Sequence, residues 1–187
     1  FTASTATLSY LTEQQLRPHL LIHPELESEY QHLNTQQPNC VVLGDAAEKF
    51  NYQNLNAAFR ILMQDPAIEL IAMGDNRYFR ESEGLSLDQG PFIRALEYAS
   101  DRQARITGKP AADFFLQAVK QLGCMASEVL MIGDDVFADV EGALKAGLQA
   151  CLVKTGKYQP GDEGRISHPA TWVADDNNQA VDWLLQQ

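Results

Sequence analysis

Cysteine and tryptophan are scarce in this chain, positive charge is in deficit, and long apolar runs are missing. Cys40, Cys124 and Cys151 are odd in number, widely spaced and contain no Cys-x-x-Cys pair. That pattern argues against a disulfide framework or a cysteine zinc site, and it suits reduced thiols packed in the core of a cytoplasmic protein. Lys and Arg number 14 against 25 Asp and Glu, a formal net charge of -11 with an isoelectric point near 4.7. Neither a basic stripe nor a basic helix offsets this, so nucleic acid and anionic membrane are disfavoured as partners. No apolar run approaches the length of a bilayer span, and no cleavable leader is expected from these residues. His19, His23, His32 and His168 show no metal-ligand spacing and read as surface or packing residues.

What is present is an alternation of short apolar runs and helical patterns, with 45% hydrophobic residues over 187 positions. That suffices for a sizeable core in one or two domains, and the alternation predicts an α/β fold. A helix is expected over Thr5 to Gln15, with Leu8 and Leu11 inward, ending before Pro18. Leu20 to Ile22, Val41 to Leu43 and Leu70 to Met73 read as strands. Between the last two, Tyr52, Leu55, Phe59, Leu62 and Met63 share one helical face. Ala104 to Ile106, Val129 to Ile132 and Ala150 to Val153 are expected as parallel core strands, with Thr171 to Val173 outside them. The final helix would turn Ala180, Val181, Leu184 and Leu185 inward, while Tyr158 to Pro169, rich in Pro, Gly and charge, reads as a surface loop.

The most telling stretch runs from Val129 to Ala143, where an apolar strand meets a glycine turn and the carboxylates Asp134, Asp135 and Asp139 group at the start of the next helix. In open α/β sheets ligands bind beyond the carboxyl ends of the strands, and Gly133 lets the backbone turn sharply there. Three acidic side chains at one strand end are costly unless a positive group sits among them, and a hard divalent cation is the usual answer. A solvated turn with an N-capping Asp accounts for Gly-Asp-Asp equally well.

The second informative segment is Thr107-Gly108-Lys109-Pro110, placed between the apolar Ala104 to Ile106 and a helical stretch from Ala111 to Leu122. Pro110 suits a first helical turn, and Phe115, Ala118, Val119 and Leu122 recur at helical spacing. Lys109 would then stand at the same sheet edge as Asp134. There a compact ammonium can neutralise a phosphoryl group and a carboxylate together. Taken alone, Gly-Lys-Pro is weak, because most exposed lysines before helices are merely solvated.

Together, Gly108-Lys109-Pro110, Ile132-Gly-Asp-Asp-Val-Phe-Ala-Asp139, Gly142-Ala-Leu-Lys-Ala-Gly147 and Leu152-Val-Lys-Thr-Gly156 resemble the haloacid dehalogenase superfamily of phosphatases. The likeness is to the branch with a large α/β cap inserted in mid-core, subfamily IIA. Arg77-Tyr78, Gly84-Leu85, Gly90-Pro91-Phe92, Ala95 to Ala99 and Lys154-Thr-Gly-Lys157 resemble a group of inorganic pyrophosphate phosphatases and hydrolase-domain relatives within it.

The resemblance implies a partial Rossmann-like parallel-sheet core with an inserted α/β cap. Residues 1–17 would lead into the cap, 18–101 would form it, and 102–187 would be the second half of the core. It implies magnesium (Mg2+) as cofactor with Asp134 as its ligand, and Lys109 holding the phosphoryl oxygens. Asp139 would anchor Lys109 or a metal-bound water, and Asp135 would cap the helix or support the metal ligand from behind. The implied substrate is a small phosphorylated molecule, and a homodimer through the cap fits the same likeness. The superfamily's nucleophile lies in an Asp-x-Asp-Gly segment, which these residues do not contain. Phe1 to Thr5 resembles the stretch leading into the cap, so the expectation is a chain that begins after the nucleophile. Two classes therefore stand side by side, a phosphatase seen without its first strands and a noncatalytic ligand- or partner-binding descendant.

Gly74 to Gly84, polar and rich in charge, follows an apolar strand and is expected as a loop. In the resembling branch the corresponding loop faces the active site, so Asn76, Arg77 and Tyr78 are candidates for selecting the leaving group. A merely solvated loop is the alternative.

Overall fold

The computed structural model describes residues 1–186, with the side chain of Arg80 left aside. The chain divides into two compact units, Phe1–Gly108 and Lys109–Gln187.

The first unit is built on β1 (Pro18–Leu21), β2 (Cys40–Leu43), β3 (Glu69–Ala72), the strands β4 (Tyr78–Glu81) and β5 (Gly84–Leu87), and β6 (Arg105–Ile106). β1, β2, β3 and β6 form one parallel sheet in that order, and β4 and β5 form an antiparallel hairpin. Every residue of β2 is buried, as its uninterrupted apolar run requires of a strand covered on both faces. Side-chain alternation divides the core accordingly. Val41, Leu43, Leu70 and Ala72 pack with Ala58 and Leu62 of α2 (Tyr52–Leu62) and with Ile93 and Leu96 of α3 (Gln89–Ser100). Cys40, Val42, Ile71 and Met73 face the other way, against Tyr30 and Leu11 of α1 (Ala3–Glu13). α1 starts where the Thr2 side chain accepts the Thr5 N–H at 3.1 Å, so the helix lies two residues earlier than its apolar spacing suggests.

The second unit holds a three-stranded parallel sheet, β7 (Leu130–Gly133), β8 (Gln149–Val153) and β9 (Trp172–Ala174), in sequence order. Its helices are α4 (Ala112–Leu122), α5 (Gly142–Lys145) and α6 (Asn177–Leu184). Cys151, Val153 and Ala174 pack with Ala180 of α6, and the Trp172 and Trp183 rings stack at 5.0 Å.

The α/β class and the parallel sheets agree with the sequence reading. Several particulars need correction. The strand at Ala104 to Ile106 does not extend the sheet of Val129 to Ile132. It pairs with β3, Ile71 opposite Arg105 and Ala72 opposite Ile106, and Ala104 and Ile106 pack onto the cluster under α2 and α3. The boundary between compact units accordingly falls after Gly108, and residues 1–17 belong with the first unit. Tyr52 and Met63 stand exposed at the two ends of α2, where the helix has run past the core. Leu122 is exposed beside the C-capping Gly123, and on α6 only Ala180 is buried while Val181, Leu184 and Leu185 are exposed. Cys40 and Cys151 are core residues, but Cys124 lies in the exposed turn after α4. Among the described residues, no helix is long and apolar enough to cross a membrane.

Candidate active site

The site in the second unit begins where β7 ends. Gly133 is buried, and a Cβ there would lie 2.4 Å from the Asp139 carboxylate. A glycine is therefore what allows Asp139 to fold back against the strand end. Asp135 caps the segment that follows, its Oδ1 accepting the N–H groups of Phe137 at 3.1 Å and Ala138 at 2.9 Å. Val136–Glu141 is wound wider than an α-helix, with the Val140 N–H reaching Asp135 O at 3.3 Å, before tightening into α5. Such wide turns are over-represented at functional sites.

Asp139 is buried, yet both of its carboxylate oxygens have partners. Oδ1 accepts from Lys109 Nζ at 2.6 Å, and Oδ2 from the Asp135 N–H at 3.3 Å. Lys109 lies three residues before the start of α4 and keeps 40% of its side chain exposed. It reaches the carboxylate group without following a strand of the β7 sheet, contrary to the expected route.

Asp134 faces the loop after β8. Its Oδ2 accepts the Lys157 N–H at 2.6 Å, and Lys157 Nζ stands 3.5 Å from Asp135 Oδ2. The sequence reading missed Lys157 as a site residue. The available signal was Thr155-Gly156-Lys157 directly after an apolar strand, since a glycine there marks close backbone approach.

The fit of a magnesium ion here depends on which carboxylate oxygens are free. One Asp134 oxygen is engaged and one is open, whereas Asp135 and Asp139 have both oxygens near donors. Among the described residues, no group of three acidic, His or Cys side chains could enclose a metal. An ion that keeps several waters and takes one or two carboxylates plus phosphate oxygens fits this partial donor set; a calcium cage does not.

Asn76, Arg77 and Tyr78 lie in the first unit, just past the carboxyl end of β3. The stretch expected as a single loop is a short turn followed by the β4–β5 hairpin, with Tyr78 already paired to Leu87. Asn76 O accepts the Gly90 N–H at 2.9 Å, and Arg77 O accepts that of Asp88 at 3.3 Å, tying the turn to the start of α3. Arg77 and Tyr78 are exposed and, with Asp75, Leu87 and Arg94, border a cleft of about 460 Å³. Arg94 is paired with Glu97 and Asp75, and its hydrogen bond to Glu97 foremost raises its pKa.

Residues 106–180 match the HAD-hydrolase-like family. Over 185 residues, covering 99% of this chain and 68% of the relative, the chain is 45% identical to the phospholysine phosphohistidine inorganic pyrophosphate phosphatase of Danio rerio. The chain belongs to the haloacid-dehalogenase-like hydrolases. The Homo sapiens phosphatase of the same name is 46% identical over 181 residues, 97% of this chain and 67% of that protein. The Mus musculus haloacid dehalogenase-like hydrolase domain-containing protein 2 is 44% identical over 186 residues, covering 100% of this chain and 71% of its own. The 4-nitrophenylphosphatase of Thermotoga maritima shares the fold at a TM-score of 0.86 and 25% identity, over 97% of this chain and 71% of that one. In this haloacid-dehalogenase-like hydrolase, Lys109, Asp134 and Asp139 fall inside the matched family segment, and Asn76, Arg77 and Tyr78 precede it.

Proposed function

We propose that this chain supplies the cation-binding and phosphoryl-neutralising half of a magnesium-dependent phosphatase of small phosphorylated molecules. The observation that carries the reading is the Lys109–Asp139 pair beside Asp134. A buried carboxylate takes one of the three N–H donors of a lysine whose side chain is 40% exposed, leaving the other donors for a ligand. Lys109 binds phosphoryl oxygens, Asp139 orients Lys109, and Asp134 offers its open oxygen to the cation. Bound magnesium offsets the negative charge shared by phosphate and carboxylates. Phosphoryl transfer demands mainly positioning and charge stabilisation, which is what these three side chains provide.

In the proposed chemistry an Asp carboxylate attacks phosphorus to give an aspartyl-phosphate, a second Asp protonates the leaving group, and water releases phosphate. Both aspartates belong to an Asp-x-Asp-Gly segment, which the 187 residues do not contain. Turnover therefore belongs to a form that carries this segment. The first unit, Phe1–Gly108, acts as the cap together with the residues that lead into it, and the second unit, Lys109–Gln187, as the second half of the core. Asn76, Arg77 and Tyr78 select the leaving group. A homodimer through the cap and a cytoplasmic setting belong to the same reading, the latter supported by three free thiols. The second reading is a noncatalytic ligand- or partner-binding member of the family.

Steady-state assays with a panel of phosphate esters test the choice. The 187 residues alone are expected to show no magnesium-dependent turnover of an aryl phosphate. In a natural form carrying Asp-x-Asp-Gly, Asp134→Asn and Lys109→Ala each lower kcat by about 100-fold or more. Arg77→Ala there changes the ranking of esters. Hydrolysis by the 187 residues that disappears in Asp134→Asn would overturn the placement of the nucleophile. Natural products that all lack the segment and bind without turnover would establish the second reading.

A further inference from the structure

The loop after β8 does more than close the second unit. Gly156 has φ +52, and a Cβ on it would lie 2.1 Å from Asp134 Oδ2. Two independent features, a left-handed backbone and the absence of room for any side chain, therefore require glycine where the loop meets the carboxylate. The next residue uses that approach. The Lys157 N–H donates to Asp134 Oδ2 at 2.6 Å, and its ammonium stands 3.5 Å from Asp135 Oδ2. The two adjacent aspartates are thereby made unequal. Asp135 has Oδ1 committed to two helix-start N–H groups and Oδ2 facing the ammonium. Asp134 has one oxygen pinned by the backbone and the other open.

We propose that the Gly156-Lys157 turn is a positioning device for Asp134. It fixes the carboxylate so that a single oxygen is presented to the cation, and it balances the charge of Asp135 so that the neighbour does not compete as a ligand. The inference rests on the reading of Asp134 as the magnesium ligand. It adds two residues that hold the ligand without touching substrate or reacting atoms. Groups that orient a metal-binding side chain commonly matter to affinity by about 10- to 100-fold.

The backbone and the ammonium make opposite contributions, which gives the test its discrimination. In calorimetric Mg2+ titrations of the 187-residue chain, Gly156→Ala displaces the carboxylate and raises Kd about tenfold or more. Lys157→Gln keeps the N–H but removes a competing positive charge, so Kd falls by about threefold, the scale of one solvent-screened charge. A loop with only a structural role would lower thermal stability in Gly156→Ala and leave the Mg2+ affinity unmoved; that result, or both variants shifting in one direction, overturns the proposal. A metal-free readout separates it from the reading beneath it. The Lys157 amide proton, bonded to a carboxylate, resonates downfield and moves upfield in Asp134→Asn. If Asp134→Asn loses Mg2+ binding but leaves that resonance in place, the positioning role fails alone. If the resonance moves while Mg2+ binding is unchanged from the parent, or if the parent binds no Mg2+, the metal reading fails and the proposal with it.

Discussion

Lys109 Nζ lies 2.6 Å from Asp139 Oδ1, joining an aspartate whose side chain is 6% exposed to a lysine whose side chain is 40% exposed. The asymmetry sets what each partner does. Asp139 is held in a place from which it cannot find water in exchange, while Lys109 retains an outward face. Losing the lysine strands a buried charge; losing the aspartate frees a cation that solvent can take up.

That difference is measurable in a double-mutant cycle. Lys109→Met is expected to lower the unfolding free energy by about 1–3 kcal/mol, the range for breaking a charged hydrogen bond at a partly buried site. Adding Asp139→Asn to it should recover part of the loss, since the stranded charge is then gone. Urea unfolding of the two single variants and the pair should give a coupling of about 1 kcal/mol or more. Strict additivity would show that the ion pair contributes nothing beyond its separate members.

Gly133 stands directly under the same carboxylate, where an added Cβ would come within 2.4 Å of Asp139. Gly133→Ala is therefore expected to destabilise by about 1–3 kcal/mol, the usual cost of overpacking. Gly164→Ala is the control, because a Cβ there meets nothing within 4 Å. It should stay within about 0.5 kcal/mol of the parent. Equal denaturation midpoints for the two variants would contradict the close approach of Asp139 to the strand end.

The contrast between those two glycines shows what was legible beforehand. Strands buried on both faces, such as β2 with Val41-Val42-Leu43, write themselves as apolar runs, and Gly133 followed by Asp134 and Asp135 reads as a strand end with carboxylates. The capping by Asp135 was anticipated and is seen in its two hydrogen bonds. β6 was not placed correctly because two residues carry no periodicity, and its partner is chosen by how Ile106 packs beneath α2 and α3. The β4–β5 hairpin was hidden by its polar residues, Glu81 through Glu83 among them, which resemble a solvated loop. The Lys157 contact to Asp134 runs through a backbone N–H, a donor every residue but proline has, so side-chain chemistry could not announce it.

Thiol chemistry offers a check on the packing of both units. Cys40 and Cys151 are fully buried, and burial pushes the Cys40 thiol up to about 12 and raises that of Cys151. Cys124 is exposed. Because the thiolate is the reactive form, a maleimide should add once per native chain and three times in urea. Peptide mapping should find the native label on Cys124. Native labelling of Cys40 would mean that the sheet of the first unit opens far more readily than its packing implies.

His19 gives the first unit a pH dependence with a defined sign. It lies on β1 opposite Val41, and burial lowers its pKa below the ordinary value of 6.5. The folded state thus favours neutral imidazole, while the unfolded chain takes up a proton near pH 6.5. Above that pH neither state binds the proton and His19 adds no pH dependence. As pH falls through 6.5 the unfolded state gains protons first, so stability is lost until the folded-state pKa is passed and both states are charged. His19→Gln removes this contribution. The difference in urea midpoint between parent and variant should be constant from pH 8 to 7 and should move against the parent below about 6.5. A difference that is flat down to pH 5, or that moves in the parent's favour, would show that the imidazole of His19 is as well solvated in the fold as in the unfolded chain.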